Sequence, residues 1–170
     1  MGIDPGTVNA GYGVIDSVDG AVSMVACGVF SAPARLPPAE RLSRIYKALD
    51  KAVAQYRPQA VAVETPFVAQ NIGSALAIGR AQAVALLAAA NRGIPTFEYS
   101  PAQVKQRVAS YGASSKEQIQ QMVKLQLGLA ETPKPSDAAD ALAVALCHLS
   151  EMHVNQLTGD RPKPRRRSAA

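Results

Sequence analysis

Residues 1–30 read MGIDPGTVNAGYGVIDSVDGAVSMVACGVF and contain three short runs rich in apolar and β-branched residues. These runs are GID (2–4), GYGVID (11–16) and AVSMVACGVF (21–30), and segments containing Pro, Gly, Asn or Asp separate them. Strand patterns interrupted by such residues are typical of antiparallel hairpins, and the SVDG segment (17–20) resembles a tight hairpin turn. The stretch therefore predicts three early strands joined by short turns.

The rest of the chain alternates between helical and strand patterns and then becomes helical only. Apolar residues at helical spacing, such as Leu42, Ile45 and Leu49, predict a first helix over 38–56. Further predicted segments are a strand AVAVE (60–64), a helix over 74–91, a strand over 94–100, and helices over 102–110, 116–127 and 137–153. The order βββαβαβ followed by helices predicts an α/β fold, with a five-stranded mixed sheet flanked by helices on both faces.

Length and charge favour a single domain with an anionic partner. The chain has 170 residues, of which 48% are hydrophobic, and a formal net charge of +5. This is long enough to bury one substantial core. Beyond residue 156 the composition becomes polar and includes the basic segment RPKPRRR (161–167). We predict one domain over 1–156 and a basic, disordered tail over 157–170, and the positive charge favours nucleic acid as a partner.

The sequence favours a cytoplasmic protein without membrane association. Its N-terminal residues lack the charged start and apolar core of a secretory signal. The most apolar run, Ala81–Ala90, is shorter than the roughly 20 residues that span a bilayer. Cys27 and Cys147 match no zinc-binding spacing and are interpreted as reduced thiols.

Four acidic residues occupy positions at which this fold would place a functional site. Asp4 ends or interrupts the first strand, Glu64 ends the AVAVE strand, and Asp137 and Asp140 share one face of the last helix. Functional groups in open α/β sheets collect at strand ends. Clustered carboxylates repel one another unless cations join them, and their oxygens suit Mg²⁺ or Mn²⁺. The pattern favours a two-metal nuclease that hydrolyses phosphodiesters.

Each of these acids also has an ordinary interpretation when it is taken alone. Asp4 could form a turn, and Glu64 could be a satisfied polar residue at a strand end. Asp137 could be a helix N-cap, with Asp140 completing a pair like a capping box. It is the combination of all four, in this order, that favours the nuclease. His148 is interpreted as a helix-end or surface residue, with a role behind the acidic pair as the alternative.

Four segments carry a resemblance to a known family: GIDPGTVNAGYGVI (2–15), AVETPFVAQNIGSAL (62–76), FEYSPAQVKQRVASYGASSKEQI (97–119) and DAADALAVALCH (137–148). Together they resemble the RuvC family of bacterial Holliday junction resolvases. The resemblance implies an RNase H-like fold and a homodimer that nicks two opposed strands of a four-way DNA junction. It also implies two Mg²⁺ ions per active site, with Mn²⁺ as a substitute, and cooperation with the branch-migration proteins RuvA and RuvB.

The resemblance assigns roles position by position. The residues that match the family's metal-binding catalytic acids are Asp4, Glu64, Asp137 and Asp140. Phe67 matches an aromatic residue used at the opened centre of the junction, and Lys105 and Lys116 match basic residues important for DNA engagement and cleavage. The helix over 74–91 matches the helix of the family's dimer interface. Its GRAQA segment (79–83) departs from the family's frequent G-Q-A-R-G.

Other classes stay open beside the resolvase. The GIDPGT opening alone is also typical of sugar-kinase or actin-type ATPases, but these need two related domains and this chain accommodates one. A smaller RNase H relative that acts on ribosomal RNA precursor shares the opening motif, but it would not require the region of Phe67 or the extended final helix. A non-catalytic DNA-binding module is disfavoured because all four acids are present.

Overall fold

The computed structural model describes residues 1–66, 72–109 and 114–159, and within these ranges it contains a five-stranded sheet. The strands are β1 (Gly2–Asp4), β2 (Asn9–Val18), β3 (Ala21–Ser31), β4 (Val61–Glu64) and β5 (Thr96–Tyr99). They lie in the order β3-β2-β1-β4-β5. β1, β2 and β3 pair antiparallel, whereas β4 runs parallel to β1 and β5 parallel to β4. The predicted five-stranded mixed sheet is confirmed.

Helices cover both faces of this sheet, as the sequence predicted. They are α1 (Pro38–Tyr56), α2 (Ile72–Ala90), α3 (Pro101–Ala109), α4 (Lys116–Gln126) and α5 (Ser136–Thr158). The core on one face joins α1 and α2 to the sheet, and the core on the other face joins α3, α4 and α5 to it. The last helix was predicted to end near His153, but it continues to Gly159, whose φ of 71° terminates it.

The hairpin between β2 and β3 forms the outer part of the sheet. Its turn residues, Asp19 and Gly20, have φ values of 51° and 83°. Two successive positive φ values match the hairpin turn that an Asp-Gly pair favours, because glycine has no Cβ to clash and aspartate tolerates this region. The pairing extends from Asn9–Ser31 to Val18–Ala21, so both strands are longer than predicted.

Helix α2 is the most apolar of the helices that the structure describes. It has 19 residues and a mean hydropathy of 1.5 over its most apolar window, which is long and apolar enough to cross a membrane by length and composition alone. The prediction from Ala81–Ala90 underestimated this segment, because the apolar helix already begins at Ile72. One such helix is weak evidence for a membrane span, since core helices of soluble proteins share these properties, and α2 packs against α1 and β4.

Helix α5 lies unusually close to the sheet because small residues meet on both sides of the contact. A Cβ atom added to Gly2 or Gly11 would overlap the backbone of α5, and one added to Gly13 would overlap Leu142. On the helix side, residues 138–147 are buried except Asp140, and most of them are alanine. The absence of side chains at these strand positions therefore sets the height of the helix above the sheet.

Candidate active site

Two of the four predicted acids lie side by side at the ends of parallel strands. Ile3 of β1 is paired with Val63 of β4, so Asp4 and Glu64 are the next residues at the same end of the sheet. Ile3 and Val63 are buried in the core beneath α1 and α2. Side chains alternate along a strand, so Asp4 and Glu64 point to the opposite face, where α5 lies. Their carboxyl groups are close enough for one of them, when protonated, to donate a hydrogen bond to the other.

Helix α5 brings the other two acids to this end of the sheet. Gly11 of β2 is the register partner of Asp4, and a Cβ on Gly11 would overlap the backbone of Asp137. The start of α5 is therefore held directly above β1 and β2. Asp137 and Asp140 are both half-buried in the first turns of the helix. The N-cap is Pro135, which makes no side-chain cap, so the interpretation of Asp137 as an N-cap was wrong.

Burial and mutual repulsion disfavour the charged forms of these carboxylates. Burial first, and then the charges of Asp140 and Asp137, raise the pKa of Asp4 to about 7. Burial, followed by the charges of Asp4 and Asp140, likewise raises the pKa of Glu64 to about 7. Burial also raises the pKa of Asp140, although a neighbouring lysine opposes this shift. Such shifts are common at functional sites, where like charges are held together.

The opposing lysine is Lys116, whose Nζ lies 2.6 Å from Oδ2 of Asp140. This hydrogen-bonded ion pair raises the pKa of the Lys116 ammonium. Lys116 is the first residue of α4, and the N-cap residue Ser115 forms a reciprocal capping box with Gln118. The backbone that carries Lys116 is therefore fixed by a complete helix start.

The chemistry of this donor set fits divalent metal ions. The acids offer only carboxylate oxygens, which are hard ligands, and their repulsion is relieved when cations join them. Within the ranges that the structure describes, however, no three His, Cys, Asp or Glu side chains stand close enough together to hold an ion. Asp4 and Glu64 are engaged with each other, and Asp140 is engaged with Lys116. The assignment of the four acids as metal ligands stays a prediction.

The structure gives less evidence about the two remaining predicted site residues, Phe67 and Lys105. Phe67 lies outside the described residues. Lys105 is partly exposed on α3 and forms no ion pair with the residues that the structure describes. Among those residues, Lys116 is the cation that acts on Asp4, Glu64 and Asp140. The roles of Phe67 and Lys105 in DNA binding therefore remain predictions.

Sequence reasoning kept a role behind the acidic pair only as the alternative for His148, and it did not identify the partner of His148, which is Tyr99. Nδ1 of His148 lies 2.8 Å from the hydroxyl of Tyr99, and the His148 ring packs against Phe97 with centroids 4.4 Å apart. His148 is therefore not a surface residue, and burial lowers its pKa to about 4. Tyr99 is the register partner of Glu64. The available signal was the spacing, since His148 lies about three helical turns beyond Asp137.

The raised pKa values predict how the metal-free protein responds to pH. Asp4 and Glu64 have folded-state pKa values of about 7, above the ordinary values of 3.8 and 4.5. The folded state thus holds protons that the unfolded chain releases, and its stability falls as pH rises from about 4 to 7. We expect Glu64→Gln to be more stable than wild type at pH 8 in EDTA, by about 1–2 kcal/mol.

Thermal denaturation at pH 5 and pH 8 measures this difference, and the expected gain is a few degrees in Tm at pH 8. The variant minus wild-type comparison cancels groups whose titration does not depend on Glu64, such as His148, whereas Asp4 is coupled to Glu64 and contributes to the difference. The gain should shrink at pH 5, where wild-type Glu64 is protonated. A gain that is equal at both pH values would contradict the raised pKa of Glu64.

The sheet is mixed, its strands lie in the order 3-2-1-4-5, and helices cover both of its faces. Acidic residues gather at the shared end of β1 and β4. Together these features define a nuclease of the RNase H-like class. The family model described as crossover junction endodeoxyribonuclease RuvC matches residues 1–148. The chain belongs to the RuvC family. This match supports the junction resolvase over the ribosomal RNA alternative.

Individual relatives support membership of the RuvC family. The chain is 54% identical to crossover junction endodeoxyribonuclease RuvC of Dehalococcoides mccartyi strain 195 over 158 residues, which cover 93% of this chain and 96% of the relative. It is 49% identical to the protein of the same name from Roseiflexus sp. strain RS-1, with 87% and 88% covered.

Solved structures show the same fold. Thermus thermophilus RuvC in complex with a Holliday junction substrate matches with a TM-score of 0.84 and 37% identity, over 91% of this chain and 94% of that chain. The yeast mitochondrial Holliday junction resolvase matches with a TM-score of 0.62, over 93% of this chain and 83% of that chain. At 15% identity, this second likeness concerns the fold alone.

Proposed function

We propose that this chain resolves four-way DNA junctions by paired symmetric nicks in recombination and repair, leaving 5′-phosphate and 3′-hydroxyl ends. The observation that carries the proposal is the gathering of half-buried, mutually repelling carboxylates at the shared end of β1 and β4. This arrangement occurs in a chain that belongs to the RuvC family and resembles a RuvC solved with a Holliday junction substrate.

The residues that would hold two Mg²⁺ ions are Asp4, Glu64, Asp137 and Asp140, and Mn²⁺ would substitute. Bound divalent ions supply activation of a water molecule and stabilisation of charge on the leaving oxygen. The protein contributes the fixed backbones: β1 and β4 hold two acids at one sheet edge, and α5 holds the other two above it. The close contact between α5 and the sheet fixes the positions of these acids. In-line hydrolysis requires such fixed positions, because the reacting groups must be held in the correct geometry.

The DNA-binding roles follow from charge and position. Lys116 lies beside the acids and would contact the phosphate that is cut, where a positive charge stabilises the transition state. Lys105 would bind the backbone of an arm, and Phe67 would stack on a base at the opened centre, a contact worth about 1–3 kcal/mol. Binding through such phosphate contacts weakens as salt concentration rises.

Two symmetric nicks require two active sites, so the proposed functional unit is a homodimer. Helix α2 supports this assignment, because its outer face leaves Ile72, Leu76 and Leu87 more than half exposed, at 71%, 59% and 53%. An apolar cavity of about 450 Å³ lies beside this face, between Pro66 and the first turns of α2. A contiguous apolar surface of this kind is typical of a subunit interface.

The remaining proposals concern the cellular setting. RuvA and RuvB are the expected branch-migration partners, and the cytoplasm is the expected compartment. The basic segment over 157–170 would add contacts to DNA, and its last eleven residues, 160–170, lie outside the described part of the chain.

The proposed function is tested by comparing the rate at which the protein cuts a four-way junction with the rate at which it cuts a linear duplex. Purified protein with Mg²⁺ should nick a synthetic four-way junction at symmetric positions in two opposed strands, and DNA ligase should seal the products. A linear duplex of the same sequence should be cut at least about tenfold more slowly, because it lacks the opened centre at which Phe67 is proposed to stack. Denaturing gels with each strand labelled in turn measure both rates. Equal cutting of the duplex would contradict the proposal.

A further inference from the structure

Lys116 brings a positive charge into contact with the acidic site. The Lys116 ammonium lies 2.6 Å from the Asp140 carboxylate, and the two side chains are 55% and 22% exposed. The positive charge of Lys116 also acts favourably on Asp4 and Glu64. In the described part of the chain, this one lysine supplies the counter-charge that divalent ions would supply to the same acids.

The contact also occupies a metal-binding oxygen. This charge-assisted hydrogen bond takes one acceptor site of Oδ2 and places a positive charge beside the carboxylate, and that charge repels a cation approaching the same oxygens. Lys116 and a divalent ion thus compete for Asp140.

We propose that Lys116 is a resident counter-cation of the acidic site, and that a DNA phosphate draws it away from Asp140, so that metal loading is coupled to junction binding. This inference rests on the proposed function, because it takes Asp140 to be a metal ligand. The coupling keeps the site weakly loaded with metal until a substrate phosphate is present.

The structure allows the lysine to change partners at low cost. The capping box of Ser115 and Gln118 fixes the backbone at the start of α4, so only the flexible Lys116 side chain has to rotate. More than half of that side chain is exposed, so a phosphate can reach it from solvent. A phosphate oxygen offers the ammonium a charge-assisted hydrogen bond comparable to the one it gives up.

Metal binding without DNA gives the first test. Calorimetric titration with Ca²⁺, which prefers oxygen ligands, should show that Lys116→Met binds the ion about tenfold more tightly than wild type. Lys124→Met removes the same charge from the same helix, about 12 Å further along it, and should change the affinity less than twofold. Equal Ca²⁺ affinities of wild type and Lys116→Met would overturn the proposal.

The reactivity of the lysine gives the second test. An amine-reactive ester, with peptide mass spectrometry as the readout, should label Lys116 slowly in EDTA and several-fold faster when Ca²⁺ is present. Labelling of Lys124 should not respond to Ca²⁺. Labelling of Lys116 that is unchanged by Ca²⁺ would show that the ion does not displace it, and would overturn the proposal.

Reciprocal coupling to DNA gives the third test. An intact four-way junction should raise the Ca²⁺ affinity of wild type, and Lys116→Met should lose most of this effect because its Asp140 is already free. Equal coupling in both proteins would count against the proposal. Failure of wild type to nick junctions with Mg²⁺ would instead contradict the proposed function, which none of these Ca²⁺ measurements tests.

Discussion

Glu64→Gln is expected to abolish Mg²⁺-dependent nicking of a four-way junction while junction binding persists. Glu64 ends β4 beside Asp4, and its carboxyl hydrogen-bonds to that residue. Glutamine keeps the shape and the hydrogen bond but offers only a neutral carbonyl oxygen in place of a carboxylate. Loss of a charged metal ligand should lower the nicking rate at least about 100-fold. Mutation of residues that merely hydrogen-bond to metal ligands already lowers metal affinity or activity by about 10–100-fold.

The comparison needs both a second site variant and a matched control. Asp137→Asn removes a carboxylate from the helix side of the site and should lower nicking by a similar factor. Glu131→Gln removes the same charge as Glu64→Gln at an exposed position ahead of α5 and should leave the rate unchanged. Single-turnover cleavage gives the rate, and gel shifts in Ca²⁺ give the junction affinity. Wild-type nicking by Glu64→Gln would remove the metal-site assignment.

Gly11→Ala is the second change with a large expected effect, although it removes no charged or hydrogen-bonding side chain. A Cβ at this position would overlap the carbonyl oxygen and carbon of Asp137, which are backbone atoms and cannot rotate away. The start of α5 must then lift from the sheet and carry Asp137 with it. We expect a loss of about 1–3 kcal/mol of stability from overpacking and a fall in nicking of at least about tenfold from misplacement of the acid.

Gly20→Asn is the control for this prediction. Gly20 has open space around its Cα and a φ of 83°, a region that asparagine tolerates. This variant should keep both wild-type stability and wild-type nicking. Circular dichroism and thermal denaturation would show that Gly11→Ala remains folded at the assay temperature. A loss of activity could then be assigned to displacement of Asp137. An active, fully stable Gly11→Ala protein would contradict the role assigned to the helix–sheet contact.

Much of the architecture could be predicted because it depends on local patterns. Short apolar and β-branched runs, an Asp-Gly turn and helical spacing of apolar residues are read from neighbouring residues, and the sheet and its two helical layers were confirmed. The placement of Asp4 and Glu64 at one sheet edge also followed, because both end strands that the fold makes parallel neighbours. Their function as metal ligands stays a prediction.

The features that escaped prediction depend on contacts between distant segments. The ion pair of Lys116 with Asp140 joins the start of α4 to α5, and the His148–Tyr99 bond joins α5 to β5. No local pattern encodes either distance, because each depends on how far α5 stands from its neighbours. A partial signal was present, since glycines at alternate positions of β2 facing an alanine-rich helix indicate close approach.

The close packing of α5 on the first two strands also has a consequence for the order in which the protein is made. The amino-terminal strand carries Asp4, but the helix that covers it and supplies Asp137 and Asp140 is translated more than 130 residues later. Contacts so distant in sequence carry a loop-closure cost and cannot form before the helix has been synthesised. On the proposed assignment, a nascent chain still on the ribosome has no complete acidic centre. Competence to cut DNA therefore arises only once synthesis has passed the last helix.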